Sequence, residues 1–375
     1  MTTTAAEGTR TQQVIGSVRQ KFSVAQEFLR EDGMLEFHID RSQPDTKTKF
    51  LSLIAELRTT GDSAVLRRKG DGGGLYLLVF KKPAPAKNNL KKPLILLAVT
   101  ILFIAADGFI RVSGYHDPLT TRLTFSGELY VAMIYAAALV AIIGIHELGH
   151  KVASWYHKMN SSWPYFIPGI PGVWPTMGAV ISSREPPVNK DSLFDLGLSG
   201  PIAGLVATVA VSIAAIASAK LIPANLVTGT SSADLYTTFL ISAFYGHVSS
   251  SYAIGGPMFS LLYFAYSIGF LLTFVNLLPA WQLDGGHIAN SAVSPRVHKY
   301  LTYASVIIMI LAGFWLMAFL VLILASKTRS MRPLDDVSPL SSKRRIMFVL
   351  TWVLSAGIFA FVIYGNLYFG VSQLI

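Results

Sequence analysis

Three residues near the middle of the chain, His146, Glu147 and His150, have types and spacing that suit metal-assisted hydrolysis. Four residues make about one helical turn, so both imidazoles of this H-E-x-x-H set project from one helix face and reach one ion. Glu147 stands beside them and can take a proton from water activated by that ion. The setting sharpens the reading, because residues 129–145, directly ahead of the motif, carry no charge. Ionisable groups at the end of a membrane-crossing run are costly unless something compensates them, and a metal ion does so.

Two histidines are one ligand short of a hydrolytic zinc site, which takes three protein ligands and keeps a fourth position open. Glu185, Asp191 and Asp195 follow the motif but fall in a proline-rich stretch or at a helix start, where carboxylates are usually solvated or capping. Asp107 lies at the far end of the first apolar run and would have to bend back. Asp284 ends a later apolar run at the same depth as the histidines, in a stretch broken by Pro279, Gly285 and Gly286. It is the expected third ligand. Asn276, just upstream, either donates a hydrogen bond to a developing oxyanion or caps and cross-links helices. His287 is either an outer partner of Asp284 or a boundary residue; His157 and His247 read as ordinary loop or packing residues.

The elements that must carry these groups follow from hydropathy. The chain has 375 residues, 52% of them hydrophobic and only 14% charged, with a mean hydropathy of +0.50. Charge is concentrated at the start: residues 1–92 hold 16 of the 31 Lys and Arg and 10 of the 21 Asp and Glu. A polar head therefore precedes a membrane body. Apolar runs at 93–110, 129–145, 192–219, 257–278, 298–325 and 346–369 give about six transmembrane helices. Between residues 160 and 187, six prolines and three glycines exclude a continuous helix. The apolar segments inside that stretch read as a re-entrant hairpin over 164–182, lying against the metal helix with a strand edge free for an extended substrate.

The head is expected to hold a flexible tail at 1–20, a soluble α+β domain at 21–80 and a basic linker at 81–92. In the α+β domain, alternation at 34–40 predicts a strand, an apolar stripe over 47–58 predicts a helix, and 64–67 with 75–80 predicts a hairpin across a glycine cluster. The cluster lacks the strand-to-helix setting of a phosphate loop and reads as a turn. The membrane metalloprotease domain is then 93–375, with its core at roughly 93–290.

The net charge of +10 suits anionic headgroups, and no basic-aromatic surface points to nucleic acid. There is no cysteine, which excludes disulfides and thiolate metal sites. The first 20 residues lack an apolar core, so they are not a secretory signal. The absence of a clear transit peptide points to a prokaryotic cell membrane, with a cytoplasmic head. Simple alternation then puts the basic loop 326–345 outside, against the positive-inside expectation. A hairpin within 298–325 near Gly313 resolves this, and so does a hidden span within 235–248.

His146-Glu-Leu-Gly-His150 followed by Asn276-Leu-Leu-Pro and Leu283-Asp-Gly285 resembles the site-2 protease family of intramembrane zinc metalloproteases. Leu193-Phe-Asp-Leu-Gly-Leu-Ser-Gly-Pro-Ile-Ala-Gly204, and Pro333-Leu-Asp-Asp-Val337 with Arg344-Arg345, are similar to its archaeal, cyanobacterial and plastid branch. The resemblance covers roughly 90–345. It implies zinc held by His146, His150 and Asp284, Glu147 as general base, and regulated cleavage of a single-span membrane-protein substrate within the lipid bilayer. No inserted PDZ domain is evident, and the polar head takes its place. Two rivals remain: a prenyl-protein processing enzyme with Glu185 as third ligand, and a transporter or catalytically inactive metal-binding receptor. The lack of an internal inverted repeat counts against transport.

Overall fold

The computed structural model describes residues 2–40, 43–68, 74–83, 89–115, 123–223, 225, 235–249, 251–281, 283–327 and 331–360. Helix α1 (Thr2–Lys21) leads into strands β1 (Val24–Leu29) and β2 (Leu35–Ile39), helix α2 (Thr46–Thr60), and strands β3 (Asp62–Arg68) and β4 (Leu75–Lys81). The strands form an antiparallel sheet in the order β1-β2-β4-β3. Strict alternation along β2, β3 and β4 turns Phe37, Leu66 and Leu77 onto one face, where they are fully buried against Phe50, Leu53 and Leu57 of α2. Each such side chain contributes about 1.5–3 kcal/mol. The expected strand, helix and hairpin are all present. Residues 69–73 of the glycine cluster and 84–88 of the linker lie outside the described residues.

The expected flexible tail is corrected. Residues 2–21 are helical, with Val14 and Val18 buried in the same core. Ser17 Oγ donates to Glu56 Oε1 at 2.5 Å and Lys21 Nζ lies 2.6 Å from Glu56 Oε2, holding that carboxyl below its usual range. A Thr-rich segment is a weak helix former on its own, and packing on α2 supplies what propensity lacks. The domain also draws on distant chain. Leu334 O accepts from the backbone N–H of Leu66 at 2.9 Å, and Leu334 and Val188 enter the core. The outer edge of β3 is thus covered by a strap from residues 334–335, whose other side bonds Pro187 and Val188.

Helices α3 (Lys91–Ser113) and α4 (Phe125–Tyr156) are followed by strands β5 (Tyr165–Ile170) and β6 (Trp174–Val180), then by helix α5 (Lys190–Ala217). Strand β7 (Lys220–Pro223), helix α6 (Leu235–Tyr245) and strand β8 (Tyr252–Gly255) come next, before helices α7 (Pro257–Leu277), α8 (Asp284–Ala292), α9 (Pro295–Leu311), α10 (Trp315–Lys327) and α11 (Ser342–Ile358). Among the described residues four helices, α3, α4, α5 and α7, are long and apolar enough to cross a membrane. Residues 298–325, expected as a fifth span or as a hairpin near Gly313, hold two short helices, α9 and α10, on either side of Gly313 with φ +85°. The expected sixth begins as α11, and its stretch beyond residue 360 lies outside the described residues. The strap and β3 are hydrogen-bonded, so residues 334–335 lie against the N-terminal domain.

Candidate metal centre

Helix α4 starts at Thr124, whose Oγ1 accepts from the Gly127 N–H at 3.3 Å. At 1.5 Å per residue, His146 lies about 31 Å along it, close to one hydrocarbon thickness. His146, Glu147 and His150 are buried there, the two histidines against α5. Helix α5 is started by a reciprocal cap: Asn189 Oδ1 accepts from Ser192 N at 2.9 Å, and Ser192 Oγ from Asn189 N at 3.0 Å. Its glycines then admit the histidines. A Cβ at Gly200 would overlap the His150 ring, and one at Gly204 would lie 2.9 Å from His146 Nδ1. Across the seam a Cβ at Gly149 would run into the Ser199 carbonyl. The small-residue spacing in α5, expected to serve helix packing, therefore also makes room for two imidazoles.

Helix α7 ends at Leu277, and Leu278-Pro279 turns the chain into α8, which begins at Asp284. Gly285 and Gly286 let this turn close, since a Cβ on either would strike backbone carbonyls of 277–281. A carboxylate at the first residue of a helix is also favoured by the helix dipole. Asp284 Oδ2 lies 3.2 Å from His146 Nε2, and Oδ1 lies 3.3 Å from His150 Nε2. The two Nε2 atoms are 3.2 Å apart. His150 Nδ1 donates to the Leu196 carbonyl at 2.8 Å, which leaves its Nε2 as a lone pair facing the others. Bonds of about 2.0–2.1 Å to a tetrahedral zinc ion would separate ligand atoms by about 3.3–3.4 Å. The donor set and its spacing fit such an ion.

The structure also places the other candidates. Asn276 Nδ2 is 3.4 Å from His146 Nε2. Glu185 is apart from the cluster, 2.7 Å from Lys82 and hydrogen-bonded to Asn160. Asp107 is fully buried on α3 and bonds Arg111 Nε, Tyr135 Oη and the Gly172 N–H, each at 2.8 Å. His287 packs on α5 at Gly197, and His247 is exposed. His157, expected as a loop or packing residue, follows the last turn of α4 and packs on α5, with its Nε2 2.9 Å from Asp195 Oδ2. Strands β5 and β6 form a hairpin that packs chiefly on α3, where the Gly172 N–H donates to Asp107, rather than on the metal helix as expected; it touches α4 where Phe166 meets Gly144. The Leu196 carbonyl was not foreseeable, because its role comes from tertiary contact alone.

The profile of Peptidase family M50 matches residues 134–320, a stretch that contains the whole cluster. Over these residues the chain is similar to that family. It is 25% identical over 256 residues to "Probable zinc metalloprotease EGY1, chloroplastic" of Oryza sativa subsp. japonica, covering 64% of this chain and 43% of that protein. To the Arabidopsis thaliana protein of the same name it is 25% identical over 230 residues, covering 60% and 42%. The chain thus spans less than half the length of the curated relatives it matches. No solved structure matches. Family and apolar helices together make it a membrane-integral protein.

Proposed function

We propose that the protein is an intramembrane zinc endopeptidase that hydrolyses a peptide bond within or near the transmembrane segment of a single-span substrate. The observation that carries this is the meeting of His146 Nε2, His150 Nε2 and the Asp284 carboxylate at 3.2–3.3 Å, at the end of an apolar helix, beside a buried Glu147. His146, His150 and Asp284 would hold the zinc. Bound there, zinc supplies Lewis acidity that polarises a carbonyl and makes water more acidic. Glu147 accepts the proton of the attacking water and returns it to the leaving amine. Asn276 offers its amide N–H to the developing oxyanion. The α5 glycines and the Leu196 carbonyl hold the imidazoles in place, so ligand orientation is set before substrate arrives.

The β5–β6 hairpin is read as re-entrant. Phe166 contacts Gly144, two residues from His146, and the turn at Gly172 meets Asp107, which is also bonded to Tyr135. Tyr135 precedes His146 by eleven residues, about 16 Å along the helix. The hairpin therefore runs along α3, touching α4 at Gly144 close to the histidines, from metal depth into the apolar zone. Among the described residues β6 pairs only with β5, so its other edge has no strand partner. A transmembrane helix hides its peptide bonds, and an unwound substrate segment pairing with that edge would expose one to the centre. The N-terminal domain and residues 331–345, both basic, face the cytoplasm of a cell membrane.

The test is cleavage of a co-expressed single-span substrate by wild type and by Glu147→Gln. Wild type is expected to cut and the variant not to. Equal cleavage by both overturns the protease reading and favours an inactive metal-binding receptor.

A further inference from the structure

A chain of charged groups runs from the N-terminal domain to the helix that carries both histidines. Lys47 Nζ on α2 lies 2.5 Å from Asp191 Oδ2, and the Ser341 N–H donates to Asp191 Oδ1 at 3.0 Å. Arg344, in the first turn of α11, reaches Asp191 Oδ2 at 3.3 Å and then takes Asp195 with both arms of its fork. Its Nε donates to Oδ1 at 2.7 Å and its Nη2 to Oδ2 at 2.5 Å. Asp195 Oδ2 also meets His157 Nε2 at 2.9 Å, at the C-terminal end of α4. The next residue on α5, Leu196, supplies the carbonyl that receives His150 Nδ1.

Isolated surface ion pairs hold little structure together. This set differs in geometry and burial. The Asp195 contact is bidentate, which a guanidinium makes and an ammonium cannot. Side-chain exposure is 26% for Arg344, 24% for Asp195 and 13% for Asp191, so the charges are mostly removed from water. The two carboxylates lie one turn apart at the start of α5, and that same turn grips α4 twice, through Asp195 to His157 and through Leu196 to His150.

We infer that Arg344 is a positioning residue for the metal centre. Acting through Asp195 and the Leu196 carbonyl, it fixes the tautomer and tilt of His150, and through Asp191 it couples that geometry to Lys47 of the N-terminal domain. The strap reinforces the coupling: Lys47 Nζ also donates to the Pro339 carbonyl at 3.3 Å, and Arg67 Nη1 to the Leu334 carbonyl at 2.7 Å. The N-terminal domain is thus wired to the outer shell of the centre by residues 334–344. The inference rests on the reading of His146, His150 and Asp284 as zinc ligands.

The experiment measures zinc affinity of the full-length protein in detergent by chelator competition, with the visible absorption of the cobalt-substituted form as a second readout. Removing a partner bonded directly to a ligand costs about 10–100-fold in metal affinity. Arg344 and Asp195 stand one step further out, so Arg344→Gln and Asp195→Asn are each expected to weaken zinc by about tenfold, the low end of that range, and to shift the cobalt bands. Arg344→Lys is expected to recover only part, and Lys47→Met to weaken zinc by less. Wild-type affinity and unshifted bands in folded Arg344→Gln overturn the inference; if that variant does not fold, Asp195→Asn and Arg344→Lys decide by the same criterion. A wild type that binds no zinc overturns instead the metal reading beneath it.

Discussion

The absence of a side chain at position 200 is what lets His150 lie against α5, and Gly200→Ala tests that directly. A Cβ built there falls within 2.7 Å of three atoms of the His150 ring, closer than carbon atoms pack. The ring cannot yield freely, because Nδ1 is bonded to the Leu196 carbonyl at 2.8 Å and Nε2 faces Asp284 at 3.3 Å. Nor can the helices part cheaply, because Gly149 already sits on the Ser199 carbonyl across the same seam. Overpacking of this kind costs about 1–3 kcal/mol. If about 2 kcal/mol of it falls on the ligand geometry, zinc affinity drops by roughly 30-fold at 1.36 kcal/mol per decade. The assay is chelator competition in detergent, with circular dichroism to confirm the helical fold. Gly144→Ala is the control, since its Cβ meets only Phe166 Cζ at an ordinary 3.7 Å. Wild-type zinc affinity in Gly200→Ala would refute the reasoning.

Three further outcomes are expected. Asp107→Asn leaves Arg111 without its carboxylate partner in a buried site, at a cost of about 1–3 kcal/mol; thermal stability should fall and cleavage should drop at least tenfold while zinc affinity holds. Ala179→Pro on β6 should abolish cleavage with zinc retained, because Ala179 pairs with Phe166 of β5 and a proline disrupts that pairing, and undiminished cleavage would remove the hairpin from substrate binding. The chain has no cysteine, so single cysteines at Lys49 and Lys343 can be labelled cleanly in sealed vesicles. Both should react from the same side, and opposite sides would contradict the strap between β3 and residues 334–335.

Much of this arrangement was legible because hydropathy and proline–glycine content act locally. The runs that became α3, α4, α5 and α7 are long and nearly uncharged, and the proline-rich stretch could only be non-helical. Alternation along 34–40 and 75–80 likewise put the right residues in the core. What escaped was set by partners far along the chain. Helix α1 forms because Val14 and Val18 have a core to enter, and β1 is an edge strand whose exposed residues show no alternation. Residues 298–325 were readable either as one span or as a hairpin near Gly313, because a single glycine is a weak signal of a reversal, and Gly313 indeed adopts φ +85°. The Arg344–Asp195 fork joins residues 149 apart, and nothing local to either announces it. In the cluster itself, the H-E-x-x-H spacing and the broken turn at Asp284 were readable, whereas the glycine cradle and the Leu196 carbonyl needed the packed helices.

The central claim is that His146, His150 and Asp284 hold one zinc ion that serves peptide hydrolysis. The most direct measurement is zinc per chain, by elemental analysis of the purified protein, for wild type, Asp284→Asn and Glu185→Gln. One zinc in wild type and in Glu185→Gln, with loss in Asp284→Asn, is the predicted result. Zinc retained by Asp284→Asn and lost from Glu185→Gln would contradict the account, since Glu185 is engaged with Lys82 and Asn160, away from the histidines.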